Sequence, residues 1–518
     1  MMSEKRETLA SSLGFLLVSA GCAVGLGNVW RFPFIVGQNG GALFVLLYVF
    51  FLIIFGLPMM TAEFAVGRAA QRSLATAYPL LTPKPGIYTP ISKVQVAANW
   101  LLMMFYTTVA GWMLAYPTYI LTGHFDFAKP EAFFGDFISS PAQQLGWMAL
   151  VCVIGFGVCA FGLKRGVESV TKKMMAALFI LLIGLCAYVV TLPGAEEGIS
   201  FYLKPSLKVL EERSLFNIIL DALGQSFFTL SLGIGSMAIF GSYTSRERTL
   251  TGESAKIIGI DTVVALLSGL IIFPACFAFQ TEPNAGPSLI FITLPKVFHQ
   301  MNAGGANIGD WVGAAFFIFL GLAALTTIIA VFENIIAMTM DSHSCSRKKA
   351  ILWNAPLLFA LSVPCALGFT LLSGFEPLGK GTAILDLEDF LVSNFALPLG
   401  SLAILIFCVS RRYWGWEKFL AEANAGRGLR LANSLRFYMT FILPAIMIFV
   451  FVAALVTKFL PEKPKAPAEP EPAPAIEAPA VPEVAPAPAV EAPAVPEAAP
   501  APAVEAPAVP EVAPAPAE

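Results

Sequence analysis

The chain has 518 residues, of which 57% are hydrophobic and 13% are charged, and its formal net charge is -3. Apolar runs of this length and number are typical of an integral membrane protein and exclude a soluble enzyme. The net charge gives no reason to expect a nucleic-acid partner, because acidic residues near the carboxyl end offset basic residues elsewhere.

Eleven apolar segments are long enough to cross a bilayer, since a transmembrane helix needs about 20 apolar residues. We therefore predict an all-α membrane protein with a transmembrane domain over residues 1–460. The first span is too long, and its flank too polar, for a cleaved signal peptide. The predicted span centres are Val24, Phe51, Phe105, Ile154, Ile183, Leu230, Leu267, Leu322, Leu361, Ile404 and Phe449.

Lysine and arginine predict the orientation. If the amino terminus is cytoplasmic, basic pairs such as Lys164–Arg165, Lys348–Lys349 and Arg411–Arg412 all fall inside, and few basic residues fall outside. This bias predicts a multi-pass protein of the inner (plasma) membrane with a cytoplasmic amino terminus. Because eleven is odd, the carboxyl-terminal tail is expected outside.

The first span contains its own interruption. Residues 21–34 read GCAVGLGNVWRFPF, in which four of the first seven residues are glycine or alanine and Asn28 follows. Glycine costs a helix interior about 1 kcal/mol relative to alanine. Non-helical backbone inside a bilayer persists only where protein or a polar cavity satisfies it. We interpret this segment as a broken helix that offers carbonyls to cations and amides to an anion.

A second interruption lies in the sixth span, where Thr229, Ser231, Gly233 and Gly235 fall in mid-membrane. Small residues can also serve close helix packing. Paired interruptions five spans apart, however, are typical of transporters built from inverted repeats. We predict two inverted five-helix repeats with broken helices 1 and 6, plus one extra helix.

Polar residues in four other spans each have two interpretations. Glu63 either extends its carboxylate toward water or supports a neighbouring broken backbone. Tyr106 belongs either to an aromatic belt or to a ligand site. Asp261 lies at the membrane edge or is compensated inside it. The hydroxyls of Thr326 and Thr327 bond back to the preceding turn or bind a hard cation.

The outer end of the tenth span carries Asp386, Glu388 and Asp389. A solvated acidic face is the default interpretation. The alternative pairs one carboxylate with Arg31, the cation at the outer end of the first span. The cysteines lie mostly within spans and the three histidines are scattered, so neither a disulfide framework nor a zinc site is expected.

The composition changes abruptly near residue 461. Residues 461–518 are rich in proline, alanine and glutamate, and a 14-residue unit repeats with Glu477, Glu491 and Glu505 in register. Such a segment cannot bury a core, so we predict a disordered, semi-extended arm that transport does not require.

Several motifs occur in a fixed order and resemble one family. They are the 21–34 segment, QNGG at 38–41, PMMTAEFAVGR at 58–68, FYTTVAGW at 105–112, FFTLSLGIG at 227–235, LAALTT at 322–327 and DLEDF at 386–390. Over about residues 1–460 the chain resembles bacterial amino-acid transporters of the neurotransmitter:sodium symporter family, which have the leucine-transporter fold. This resemblance implies a sodium-coupled symporter rather than an enzyme.

The resemblance implies two sodium sites. The ligands of the first are the Ala23 carbonyl, the Asn28 side chain, Thr229 and Asp261, together with the substrate carboxylate. The ligands of the second are carbonyls of Gly21, Val24 and Ala323 and the hydroxyls of Thr326 and Thr327.

It also implies a central amino-acid site. The substrate carboxylate meets the amides of Leu26 and Gly27 and the Tyr106 hydroxyl. The ammonium faces carbonyls of Ala23, Phe228 and Ser231. The side-chain pocket is apolar and favours a hydrophobic or aromatic amino acid; its residues are Leu102, Phe228, Ile234, Thr327 and Val331.

Two positions bear on selectivity within the family. Members that carry amines without a carboxylate have an aspartate where this chain has Gly25, so an amino acid is the expected substrate. Chloride-dependent members have a neutral residue at the position of Asp261 and a serine at that of Ala265. A fixed carboxylate replaces the anion, which implies transport without chloride.

The implied gates are Arg31 with Asp389 outside and Arg6 with Asp341 inside, near Tyr243. The chain departs from the family at Leu9, where many members have tryptophan, and at Cys22, where a more polar residue is usual. A twelfth span is missing, as in some bacterial relatives. A receptor that kept the site but lost transport is the main alternative, and a sodium-gated channel is a weaker one.

Overall fold

The computed structural model describes residues 6–281, 288–302 and 307–459, and within these residues the protein is helical. The described ranges contain one isolated β-bridge, between Arg248 and Arg427. The chain divides at Pro461, and the second unit, Glu462–Glu518, lies outside the described residues. The predicted arm over 461–518 therefore stays a prediction.

We number the apolar helices in chain order and give the two halves of a broken helix as a and b. They are α1a (Ser12–Ala23), α1b (Gly27–Gln38), α2 (Ala42–Ala70), α3 (Tyr88–Leu121), α4 (Pro141–Ala160), α5 (Leu163–Val189), α6a (Leu215–Thr229), α6b (Ser236–Ser242), α7 (Leu250–Ala278), α8 (Ile308–His343), α9 (Arg347–Leu367), α10 (Ile384–Val409) and α11 (Leu435–Val456).

Shorter helices connect them. Their ranges are Leu74–Leu81, Pro130–Ile138, Ala195–Leu203, Val209–Glu212, 289–301 and Trp416–Ala423.

Length and composition qualify eight of the described helices as membrane spans, or nine if α1a and α1b form one bent span. All eleven predicted centres fall in the labelled helices or in the two breaks. The count of eleven stays a prediction, because α3 and the divided α6 do not meet the same criterion.

The first helix breaks at residues 24–26, and its two halves meet at an angle of 52°. Val24 is extended, with φ -68° and ψ 103°, although its amide still donates to the Ala20 carbonyl at 2.7 Å. The break frees backbone groups on both sides while keeping the segment buried.

The sixth helix breaks over residues 230–235. Ser231, Gly233 and Gly235 have φ of 50°, 97° and 87°, so three residues of this segment lie in the left-handed region. Glycine adopts that region without steric cost, which explains the glycines here better than close packing alone. The break predicted from small residues in mid-span is thus present.

The centre of the bundle is α8. Of its most apolar stretch 83% is buried, against 28% for α11, so α8 is surrounded by protein and α11 lies at the periphery. α8 packs against α1a, α3, α4 and α5. This position places Thr326 and Thr327 opposite the break in α1.

Candidate functional site

Asp261 joins the two broken helices. It is fully buried on α7, and its Oδ1 accepts a hydrogen bond from Asn28 Nδ2 at 2.8 Å. On the other side the Thr229 hydroxyl donates to Asp261 Oδ2 at 3.1 Å. Asp261 is therefore compensated within the protein, and the membrane-edge interpretation is wrong for this residue. The three side chains of the implied first sodium site lie together.

Thr327 brings a second group of oxygens together. Its hydroxyl lies 3.3 Å from the Gly21 carbonyl, 3.2 Å from that of Val24 and 3.4 Å from that of Ala323. Thr326 bonds back to the Ala323 carbonyl at 2.9 Å. The five residues of the implied second site thus converge, and they present oxygen atoms, the ligands that hard cations prefer.

A small cavity of about 20 Å³ lies between the breaks. This is room for about one water molecule, so a larger ligand requires the lining side chains to move. The residues that line it are Ala23, Gly25, Gly27, Leu102, Tyr106, Phe228, Thr229, Ser231, Thr327 and Leu397.

Most of the implied substrate residues line this cavity, and three do not. The Leu26 amide donates instead to the Tyr106 hydroxyl at 2.9 Å, so two groups assigned to the substrate carboxylate bond to each other. Ile234 and Val331 are fully buried but lie outside the lining. Leu397 lines the cavity and was missed, because an ordinary leucine in an apolar run of α10 carries no signal in the sequence.

Gly25 is constrained by its neighbours. A Cβ atom added there would lie 2.4 Å from the Tyr106 hydroxyl and 2.5 Å from the Thr327 hydroxyl. Any side chain at this position must displace both groups. The absence of a side chain at Gly25 therefore has a packing reason as well as the chemical reason inferred from the sequence.

Glu63 supports the break in α6. Its buried carboxylate accepts hydrogen bonds from the Gly233 amide at 2.7 Å and from the Met237 amide at 3.1 Å. Of the two interpretations of Glu63, the structure selects the support of a broken backbone. Carbonyls of the same break accept from Gln95 at 3.0 Å and from Asn99 at 2.8 Å, and sequence reasoning missed both as supports.

The sequence around these broken helices matches one known family over nearly the whole membrane domain. The model of the Sodium:neurotransmitter symporter family matches residues 6–136 and 134–471. The chain belongs to this family. The resemblance seen in the motifs is confirmed. The prediction that the protein is a transporter rather than an enzyme is also confirmed.

Relatives of this symporter extend over nearly its whole membrane domain. An uncharacterized sodium-dependent transporter, YhdH, from Bacillus subtilis is 35% identical over 460 residues, which is 87% of this chain and 98% of the relative. A similar transporter from Haemophilus influenzae is 33% identical, covering 88% and 99%. The sodium-dependent serotonin transporter of Drosophila melanogaster is 26% identical, covering 87% and 76%.

A solved structure has the same architecture. The crystal structure of MhsT in complex with L-phenylalanine matches with a TM-score of 0.77 and 36% identity, covering 87% of this chain and all of that one. The leucine-transporter fold expected from the sequence is confirmed. Sodium-dependent transport by a multi-pass membrane protein follows from the family and these relatives.

The outer pair of this symporter differs from the expected arrangement. Arg31 and Asp389 form no direct ion pair, although both lie in the described ranges. The Arg31 guanidinium instead lies 4.3 Å from the centre of the Phe228 ring, and Asp389 accepts from the Ser393 hydroxyl at 2.8 Å. Each group has a nearer partner, so the pairing as a gate stays a prediction.

The acidic face of α10 is only partly solvated. Glu388 is 4% exposed, and Asp386 accepts from the Ala383 amide at 2.7 Å at the start of the helix. The default interpretation of a solvated face is thus wrong for Glu388. Sequence alone could not separate these carboxylates, because neighbours from other helices decide which one is covered.

The inner pair of the symporter is present. Arg6 Nη1 lies 2.6 Å from Asp341 Oδ1, and its guanidinium lies 5.0 Å from the centre of the Tyr243 ring. Tyr243 also donates to the buried Glu333 at 2.8 Å, and Glu333 pairs with Arg347 at 2.5 Å. The network joins the amino-terminal segment to α8 and α9, and its role as a gate stays a prediction.

Proposed function

We propose that this protein is a symporter that couples two sodium ions to the import of a neutral, hydrophobic or aromatic amino acid. The observation that carries the proposal is the position of Asp261 and Thr327 on opposite sides of one break. Asp261 holds Asn28 and Thr229 on one side, and Thr327 gathers carbonyls of Gly21 and Val24 on the other.

The chemistry of the lining supports an amino acid. The Leu26 amide and the Tyr106 hydroxyl are donors that a carboxylate can separate, accepting from both. Gly25 provides no carboxylate of its own, so the substrate brings the carboxylate that the first cation contacts in addition to Asp261. Leu102, Phe228 and Leu397 give the lining large apolar side chains. The similar MhsT was crystallised with L-phenylalanine, which favours an aromatic side chain.

Coupling follows from shared contacts. When the first ion touches the substrate carboxylate, each ligand raises the affinity of the other by the same factor. One cation that moves down 100 mV gains about 2.3 kcal/mol, so two ions can drive substantial accumulation. Alternating access then requires the contact between Arg31 and Phe228 to open on the outer side. On the inner side, the ion pair of Arg6 and Asp341 has to open.

Two further features belong to the proposal. The Asp261 carboxylate supplies a fixed negative charge beside the first cation site, so transport needs no chloride. The amino terminus is cytoplasmic and the tail lies outside the inner membrane, as the distribution of basic residues indicates.

A ligand screen tests substrate and ion together. We expect one or a few hydrophobic or aromatic amino acids to raise the unfolding temperature of the purified protein in sodium but not in potassium. Counterflow of the labelled amino acid into sodium-loaded proteoliposomes then separates a transporter from a receptor. Binding without counterflow would support the receptor, and currents far above the amino-acid flux would support a channel.

A matched pair of glycine variants locates the site. Gly25→Ala places a methyl group against Tyr106 and Thr327, whereas nothing lies within 4 Å of a Cβ atom at Gly224. We expect Gly25→Ala to abolish stabilisation by the amino acid and Gly224→Ala to preserve it. Equal stabilisation of both variants would place the binding site elsewhere.

A further inference from the structure

A cavity of about 900 Å³ lies at the amino-terminal end of α7, separate from the site between the breaks. Two chain segments form its wall, one before α7 and one after the helix Trp416–Ala423. They pair through backbone hydrogen bonds: Arg427 donates to the Glu247 carbonyl at 2.9 Å, and Thr249 donates to the Arg427 carbonyl at 3.2 Å. This pairing fixes the shape of the cavity wall.

Thr249 is an unpartnered donor in this wall. The residue is 1% exposed, precedes the 29-residue helix α7, and has a hydroxyl group without a hydrogen-bond partner. A Cβ atom at Gly428 would lie 2.6 Å from that hydroxyl, so any residue other than glycine would crowd it on this side. The positive end of the α7 dipole lies at the same place, and it favours a bound anion.

Cationic side chains line the same cavity. Arg248 and Lys256 are about half exposed. Both form ion pairs with Glu253 Oε1, which lies 3.5 Å from the Arg248 guanidinium and 2.7 Å from Lys256 Nζ. Arg246 and Arg427 also line the cavity. Together with the helix end, these groups suit a phosphate.

The second oxygen of Glu253 requires a different partner. Glu253 is 4% exposed, and its Oε2 is buried without a hydrogen-bond partner while the residue lines the cavity. A carboxylate oxygen accepts hydrogen bonds, and leaving one buried and unpaired is costly. A ligand that carries only a phosphate would add a second negative charge beside it. A ligand that also carries a primary ammonium can place its phosphate against the cations and donate hydrogen bonds from its ammonium to Glu253 Oε2.

An exposed stripe on α7 leads away from the cavity. Lys256, Gly259 and Val263 follow one another at helical spacing on its surface; Val263 is 46% exposed, and nothing lies within 4 Å of a Cβ atom at Gly259. An acyl chain can lie along this apolar face while its head group occupies the cavity. We propose that the cavity binds the phosphoethanolamine head group of a membrane lipid, with phosphate at Thr249 and the cations, and with ammonium at Glu253.

Lipid retention by the full-length protein tests this proposal, independently of the sodium-coupled function. The protein is purified, stripped of lipid and mixed with equal amounts of phosphatidylethanolamine, phosphatidylcholine and phosphatidylglycerol, and retained lipid is counted by native mass spectrometry. We expect phosphatidylethanolamine to be retained about tenfold over the other two, because choline cannot donate hydrogen bonds and glycerol has no positive charge. Equal retention, or a preference for phosphatidylglycerol, would overturn the proposal.

Variants assign the effect to the cavity. Glu253→Gln removes the acceptor charge and Thr249→Val removes the hydroxyl, and each should reduce the preference severalfold. Glu417→Gln is the matched control, because Glu417 is an exposed carboxylate that pairs with Arg436 at the same end of the protein. If Glu253→Gln does not fold, Arg427→Gln replaces it. Retention by these variants equal to that of the control would contradict the assignment.

Soluble O-phosphoethanolamine separates the two sources of the head group. For a lipid ligand we expect no thermal stabilisation by the soluble compound at concentrations at which the lipid stabilises fully. Equal stabilisation by the soluble compound, without retention of the lipid, would overturn the lipid assignment.

Discussion

The two helix breaks use opposite means to satisfy their exposed backbone. At the break in α1, carbonyls of Gly21, Cys22 and Val24 lie 3.2 to 3.4 Å from a single hydroxyl, that of Thr327. At the break in α6, the carboxylate of Glu63 accepts short bonds from the backbone. The first break leaves oxygens with weak partners that an ion can take over, and the second is held by the side chain of Glu63.

This difference suggests that the two breaks have different roles, one in ligand binding and the other in stability. A backbone held by Glu63, Gln95 and Asn99 from other helices forms a rigid wall. A backbone held by one threonine hydroxyl can exchange that partner for a cation. We therefore expect changes at the first break to alter ligand affinity, and changes at the second break to alter the stability of the whole protein.

The largest effect is expected at Asp261, which joins both breaks. Asp261→Asn keeps the shape but removes the charge beside the first cation site. We expect sodium-driven uptake to be lost in chloride-free buffer and to recover in part when chloride supplies the missing charge. Proteoliposome uptake in chloride and gluconate measures this, with exposed Asp136→Asn as the control. Normal uptake by Asp261→Asn without chloride would refute the assignment.

Glu63→Gln tests the second break. The substitution replaces two charge-assisted hydrogen bonds to backbone amides by one neutral acceptor and a clashing donor, which should cost about 3 kcal/mol of stability. Thermal unfolding in detergent measures the loss. Glu131→Gln is the control, because the exposed pair of Glu131 with Lys296 should contribute at most about 1 kcal/mol. An unchanged unfolding temperature for Glu63→Gln would remove the distinction between the breaks.

Tyr106→Phe tests the first break with a smaller change. It removes the hydroxyl that accepts from the Leu26 amide at 2.9 Å, and we expect about tenfold weaker binding of the amino acid with a smaller loss of stability than that of Glu63→Gln. Tyr119→Phe on the same helix is the control, since its hydroxyl bonds to Gln143 at 3.2 Å away from the cavity. Equal affinities for the two variants would argue against Tyr106 as a ligand.

Removal of the tail changes no residue of either break and should have the smallest effect. A chain that ends after Pro461 is expected to insert into the membrane and to transport the amino acid at the rate of the full-length protein. Uptake per inserted molecule is the measurement. Loss of uptake with normal insertion would give the repeat segment a role in transport.

The sequence by itself determined the existence and place of both breaks. Glycine and small polar residues in the middle of apolar runs are a local signal, because a lipid-facing helix has no use for them. The family motifs then indicated Asp261, Thr229 and Asn28 as one group, and the structure places them in one hydrogen-bonded network. Local patterns and ordered motifs are thus enough to predict a functional residue when its type is unusual for its depth in the membrane.

Tertiary structure alone decided which groups meet across the bundle. From the sequence, Glu63 could equally extend toward water or support a broken backbone. Its hydrogen bond from the Gly233 amide in the structure selects the second interpretation. Leu397 lines the cavity, although nothing in the sequence distinguishes it from an ordinary core leucine. The Arg31 guanidinium contacts the Phe228 ring rather than the Asp389 carboxylate. These contacts join residues far apart in the chain, and their distances depend on how whole helices tilt and pack, which no local pattern of residues encodes.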